Sequence, residues 1–138
     1  MTDDFVLHEG LAADCITLDD WPLCHVLLMN DATYPWLILV PRRAGLRDFH
    51  DVGEDDIPQF TGEISRASRA LQSSFKPVKI NVAALGNMVP QLHVHIIARF
   101  ADDPAWPGPI WGKVPARPYE SGPLQERLDL LKGAFKVA

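Results

Sequence analysis

Four stretches of the chain have the apolar patterns of β-strands. Residues 25–30 and 36–41 are apolar on both faces, which predicts two central strands joined as a hairpin by the turn formers of residues 31–35. Residues 78–85 and 91–100 alternate between apolar and polar positions, so each of these strands presents one apolar face. The pattern therefore predicts four strands, of which the first two form an antiparallel hairpin.

Helical spacing appears in two places. Between residues 55 and 74, apolar positions recur every three or four residues, which predicts one long helix with Pro58 in its first turn and Pro77 beyond its end. A C-terminal helix is predicted at about residues 123–132. Together with the strands, these helices predict an α+β fold.

The segment 103–123 holds six of the twelve prolines, so it is neither a regular helix nor a central strand. Because it also contains Trp, Ile and Tyr, we expect an ordered loop that folds over the body of a single domain, residues 1–138. At 138 residues, with 47% hydrophobic and 22% charged residues, the composition is that of one globular domain.

Charge and cysteine content exclude several classes of protein. A net charge of −5 without a basic stripe argues against a long nucleic acid as partner, whereas a small anionic ligand needs only local donors. No apolar run approaches the roughly 20 residues of a membrane span, and the acidic start differs from a secretory signal, so we expect a cytoplasmic protein. Cys15 and Cys24 are expected to be buried free thiols.

The polar face of the last predicted strand carries the candidate chemistry. Gln91, His93, His95 and Arg99 alternate with apolar residues, which places the two imidazoles about 6.5–7 Å apart along the strand. Such a pair can bind a metal, hold a phosphate, or lie inertly on a sheet surface. A metal site needs a third ligand, and a neighbouring Arg99 would repel a metal ion but attract a phosphate.

Two segments resemble a known family. Residues 81–99, NVAALGNMVPQLHVHIIAR, resemble the signature of the histidine triad (HIT) superfamily of nucleotide hydrolases and transferases, in which three histidines alternate with apolar residues after a Gly-containing loop. The hairpin of residues 28–42 is also similar to the family's. Gln91 replaces the first triad histidine, giving a Q-x-H-x-H variant, and Met88 stands where many members have Ser or Thr.

The resemblance implies a HIT-like α+β fold, an antiparallel β-meander with one long helix and a C-terminal helix. Within this fold it implies catalytic roles for three residues. His93 would attack the α-phosphorus of a nucleotide while its Nδ1–H donates to the backbone carbonyl of Gln91. His95 would hold a non-bridging phosphate oxygen. No metal and no cofactor are implied.

Substrate-binding roles follow from the same resemblance. Asn30 and Asp31 match the ribose-binding positions, although Asp31 could simply cap its turn. Asn81 and Asn87 match the amide positions around the phosphate, and Arg99 lies on the same predicted face.

The implied function is that of a diadenosine-polyphosphate hydrolase-like enzyme. It would act on a dinucleoside polyphosphate, an adenylate or a phosphoramidate through a nucleotidyl-histidine intermediate, and it would be a homodimer. One alternative is a nucleotide-binding module with weak catalysis, suggested by Gln91 and Met88. A second, weaker alternative is a metal-dependent H-x-H enzyme of cupin-like type.

Overall fold

The computed structural model describes residues 4–138 and shows one five-stranded antiparallel sheet with three helices. In chain order the elements are α1 (Glu9–Asp14), β1 (Cys15–Asp20), β2 (Cys24–Met29), β3 (Trp36–Pro41), α2 (Ile57–Phe75), β4 (Lys79–Ala83), β5 (Val94–Arg99) and α3 (Ser121–Phe135). A short 3-10 turn, Phe49–Asp51, precedes α2. None of the described helices has the length and apolar character needed to cross a membrane.

The strands lie in the order β1-β2-β3-β5-β4, and every pair is antiparallel. The two fully apolar runs, β2 and β3, are interior strands as predicted. β5 lies between β3 and β4, and its register sets Ile38 opposite His95 and Trp36 opposite Ile97. The sheet therefore brings the tryptophan that begins β3 close to the histidine of β5.

Alternation along the strands divides the apolar residues between two cores. One set of side chains, which includes Val26, Leu39 and Ile96, packs against α2 and α3. The other set, which includes Ile38 and Ile97, packs against residues of α1 and of the 103–118 segment. All six residues of β5 are buried, so the face that carries the histidines is covered by protein rather than solvated.

Several element boundaries differ from the predicted ones for identifiable reasons. α3 begins two residues earlier and ends three residues later than predicted, because Pro123 fits in its first turn and Phe135 is buried against the sheet. β1 and α1 were not predicted, because β1 is an edge strand with one buried residue and α1 buries only Leu11, so neither has a clear apolar pattern. Both cysteines are free; Cys24 is buried, whereas Cys15 is partly exposed.

Candidate active site

His93 lies just before β5, with one ring nitrogen fixed by the backbone. Its Nδ1 lies 2.7 Å from the carbonyl oxygen of Gln91. Because a carbonyl only accepts hydrogen bonds, Nδ1 carries the hydrogen and donates it. In the neutral ring the Nε2 lone pair is then unprotonated. The hydrogen bond expected from the sequence is therefore present.

His95 has the opposite arrangement. The indole Nε1–H of Trp36 donates to His95 Nδ1 over 3.0 Å, so the hydrogen of the neutral ring is on Nε2. Both side chains are buried. Burial, with a smaller contribution from His93, lowers the pKa of His95 to about 4, so this ring is neutral at pH 7.

The free nitrogen of each ring opens into one cavity of about 340 Å³. Among residues 4–138, Tyr34 Oη is the only buried side-chain polar atom without a hydrogen-bond partner. The Nε2 atoms of His93 and His95 likewise have no hydrogen-bond partner among the described residues, and both histidines line the cavity. Their ring centroids are 4.9 Å apart, closer than the 6.5–7 Å predicted from the strand repeat, and the two ring planes make an angle of 65°.

The side chain of Gln91 does not line the cavity, but it supports residues that do. Its side-chain Oε1 accepts from the backbone N–H of His8, and its Nε2 donates to the carbonyl of Val6, each over 2.8 Å. The His8 side chain in turn caps the start of α1, which supplies Leu11 and Asp14 to the cavity wall. The residue at the first triad position thus joins the N-terminal segment to the backbone that orients His93.

A second cavity, of about 430 Å³, contains the predicted ribose-binding residues. Asp31 Oδ1 accepts from the backbone N–H groups of Thr33 and Arg117, so the turn-capping role considered from the sequence is present. Oδ2 has no protein partner among the described residues and faces the cavity. Asn30 also lines this cavity, and its Oδ1 accepts from the N–H of Tyr119.

The two cavities adjoin each other. Asp14, Met29, Trp36 and Trp111 line both of them, so a ligand in one reaches the other without crossing the sheet. Trp36 is shared by the cavity that Asp31 lines and the cavity that His93 and His95 line. Asn87 and Met88, in the loop before β5, line the histidine cavity.

Arg99 differs from its predicted role. The guanidinium of Arg99 is buried; it donates twice to Asp103, over 2.8 and 3.0 Å, and once each to Asn81 Oδ1 and the Gly108 carbonyl. Neither Arg99 nor Asn81 lines either cavity. Asp103, four residues after Arg99, holds the guanidinium away from both cavities, so Arg99 is not placed to contact a phosphate there. The phosphate contact of Asn81 stays a prediction, since only its Oδ1 is engaged by Arg99.

Asp103 balances the buried arginine. Burial by itself raises the pKa of this carboxyl, but hydrogen bonds from Arg99 and from the N–H groups of Phe100 and Trp106 outweigh it and bring the pKa to about 2. Asp103 is therefore ionised, and the pair fastens the Pro-rich segment to the end of β5.

The described residues do not complete a metal site around the histidine pair. In that part of the chain, the one group of three close ligand side chains is the exposed group of Asp48, His50 and Asp51. Asp48 and His50 line a surface cavity together with His93, but neither site histidine belongs to the group and His95 does not line that cavity. Since Nδ1 of each site histidine is already hydrogen-bonded, each ring offers only Nε2.

Two imidazoles whose Nδ1 atoms have opposite hydrogen-bonding roles thus line one cavity beside an antiparallel sheet. The family model described as HIT domain matches residues 12–102, two thirds of the chain. The chain belongs to the HIT family.

Solved structures similar to this chain carry the same family name. A histidine triad protein from Marinobacter aquaeolei is 47% identical, with a TM-score of 0.93, and the match covers 96% of this chain and 97% of that one. One from Bradyrhizobium japonicum is 46% identical, with a TM-score of 0.93, covering 95% and 98%. One from Sinorhizobium meliloti is 39% identical, with a TM-score of 0.92, covering 95% and 97%. No curated protein matches the chain.

Proposed function

We propose that this protein is a nucleotide hydrolase or transferase that acts at the α-phosphate through a nucleotidyl intermediate on His93. The observation that carries the proposal is the pair of opposite tautomers. His93 presents a bare Nε2, which is a nucleophile, and His95 presents an Nε2–H, which is a donor, to the same cavity. Two solvated histidines on a sheet surface would not need hydrogen bonds that hold their rings in opposite roles.

The proposed reaction uses each ring once. His93 Nε2 attacks phosphorus while its Nδ1–H stays on the Gln91 carbonyl. The Nε2–H of His95 donates to a non-bridging oxygen whose negative charge grows in the transition state. Water then attacks the nucleotidyl-imidazole, and the nucleoside monophosphate leaves.

The larger cavity suits the nucleoside. Its described lining residues include the carboxylates of Asp14 and Asp31 and no Lys or Arg, so it favours hydroxyl and N–H donors over a phosphate. A ribose diol donates well to Asp31 Oδ2. Tyr34 also lines this cavity, and a ligand atom would supply the partner that its buried hydroxyl lacks among the described residues.

An acid-quench experiment tests the proposal. The protein is mixed with a diadenosine polyphosphate, quenched in acid within the first turnover, digested, and the peptide with His93 and His95 is analysed by mass. We expect an added AMP mass on His93. AMP binding without turnover or adduct would favour the weak binding module instead, whereas turnover abolished by a chelator would favour the metal-dependent enzyme.

Asp31→Asn tests where the nucleoside binds. Asn retains an Oδ1 that accepts from Thr33 and Arg117, while its NH2 replaces the oxygen that faces the cavity. We expect KM to rise with kcat nearly unchanged, the pattern of lost uniform binding, and thermal stability to stay close to wild type. Steady-state kinetics and a melting curve measure both. A fall in kcat alone would contradict the assignment.

We propose that the protein is a homodimer. β4 is an edge strand, and Val78, Val82 and Leu85 around it are exposed, which supports a homodimer through this edge. Light scattering should then give twice the 15.4 kDa chain mass; a stable 15.4 kDa species at micromolar concentration would contradict the homodimer.

We also propose a cytoplasmic location for the protein. We further propose that it belongs to a Q-x-H-x-H subfamily, in which Gln91 contributes only its backbone carbonyl to the reaction.

A further inference from the structure

Trp36 constrains the chemistry available to His95. Its indole nitrogen is always a donor, and it points at His95 Nδ1 from 3.0 Å. Protonating Nδ1 would set two N–H groups against each other inside a buried site, where neither has another partner. The contact therefore disfavours both the Nδ1–H tautomer and the imidazolium ion.

A histidine held in this state is a hydrogen-bond donor and not an acid. Losing the Nε2 hydrogen from a neutral ring would leave an imidazolate, which is far too basic to form at neutral pH. The burial that keeps the pKa of His95 near 4 acts in the same direction. His95 can stabilise charge on phosphate oxygens, but it has no proton to give a leaving group.

The remaining wall of the histidine cavity does not supply an acid. Its described lining residues include no Ser, Thr, Tyr, Lys or Arg. Asp14, the one carboxyl in this lining, is exposed to solvent rather than enclosed with the two imidazoles. Asn87 offers an amide, which donates a hydrogen bond without transferring a proton, and Met88 has no polar hydrogen.

We propose that Trp36 fixes His95 as a neutral donor, so that the site cleaves nucleotides whose leaving group departs as a stable anion, anhydrides rather than amides. This inference rests on the proposed function and narrows its substrate class. The His93 Nε2–P bond forms as the P–O bond to the leaving phosphate breaks, and the electron pair leaves on that oxygen. Water then attacks phosphorus, the N–P pair returns to Nε2, and one proton passes to solvent.

Substrates that share AMP and differ in the leaving group test the substrate class. A diadenosine polyphosphate, adenosine 5′-phosphoramidate, and phenyl esters of AMP with phenols of graded acidity are compared by kcat/KM. Since a positioned acid contributes about 10²–10⁴ in rate, we expect the anhydride to exceed the amide by at least about 10². Rates for the esters should fall steeply as the phenol becomes less acidic.

The outcomes separate this inference from the proposed function. If the phosphoramidate reacts as fast as the anhydride, or if the esters react at one rate, an acid is present and the inference is wrong while the nucleotidyl mechanism stands. If the wild-type protein turns over none of these substrates, the proposed function itself fails.

Trp36→Phe tests the positioning role by spectroscopy. The variant keeps an aromatic ring but removes the N–H, so ¹⁵N NMR should show His95 Nδ1 partly protonated, and kcat should fall by roughly 10² with little change in KM, because the donor is misplaced. Trp111→Phe is the matched control: Trp111 lines both cavities and its ring lies 5.1 Å from that of His95, but its indole makes no hydrogen bond to a described residue.

We expect the control to keep the wild-type ¹⁵N pattern of His95. Trp36→His supplies a ring N–H at the same place and should restore that pattern at least in part, which also distinguishes loss of the donor from loss of the fold. An unprotonated His95 Nδ1 in a folded Trp36→Phe protein, identical to wild type, would overturn the role of Trp36.

Discussion

Replacing His93 with Asn should abolish turnover of a diadenosine polyphosphate while the protein still binds AMP. The substitution removes the only proposed nucleophile but keeps a polar side chain of similar size beside the Gln91 carbonyl. The same substitution at His95 removes one donor to the phosphate, and loss of one such donor costs about 10²–10³ in rate, so His95→Asn should retain measurable activity. We therefore expect no turnover in His93→Asn and slow turnover in His95→Asn, although both residues lie on one face of the sheet.

Single-turnover kinetics and calorimetric AMP titration measure these effects. The acid-quench adduct should be absent in His93→Asn and present, formed more slowly, in His95→Asn. Full activity in His93→Asn, or an adduct located on His95, would remove the basis for the nucleophile assignment. Equal, small losses in both variants would instead fit an inert pair on a sheet.

Replacing Arg99 with Met should destabilise the protein by about 3–5 kcal/mol, because it leaves the buried Asp103 carboxylate without its charged partner. Urea unfolding measures the change. Arg43→Met is the matched control: Arg43 makes a similar ion pair with Asp56, but both side chains are partly exposed, so its loss should cost only about 0.2–1 kcal/mol. Comparable costs at the two positions would contradict the anchoring role of Arg99.

The pH dependence of this difference has a definite sign. The pKa of Asp103 is lowered to about 2 in the folded protein, below the value of about 3.9 for an unfolded Asp. Its contribution is therefore fully present above about pH 4 and is lost as the pH falls toward 2. The stability gap between wild type and Arg99→Met should narrow over that range.

Most of the fold was predictable from the apolar patterns of its strands and its long helix. The doubly apolar runs predicted the interior strands β2 and β3, and the spacing within residues 55–74 predicted α2 to within two residues at each end. Local patterns could not place β5 between β3 and β4, because strand order depends on packing between distant segments. For the same reason the covered histidine face was not foreseen: the 103–118 segment hides it, and proline content predicts a loop but not where it lies.

The two histidines of the site and their backbone partner were predictable because one short segment holds them. His93, its Gln91 partner and His95 lie within five residues, so their spacing suffices. Trp36 contacts His95 across 59 positions of sequence, and a tryptophan opening an apolar strand is expected to be core. For Arg99 the local pattern suggested a site residue where the structure shows an ion pair. Alternation placed it beside the histidines, but Asp103 at the fourth following position was the signal for an ion pair.

The two hydrogen bonds of the Gln91 amide make one backbone proton an informative reporter. The amide hydrogen of His8 is donated to the side chain of Gln91, and the backbone carbonyl of the same residue orients His93. Its exchange with deuterium requires the N-terminal segment to detach from residue 91, so the exchange rate reports how often this support of the nucleophile opens. Ligands that close the cavity against α1 would slow that exchange, which allows substrate fragments to be ranked without any turnover assay.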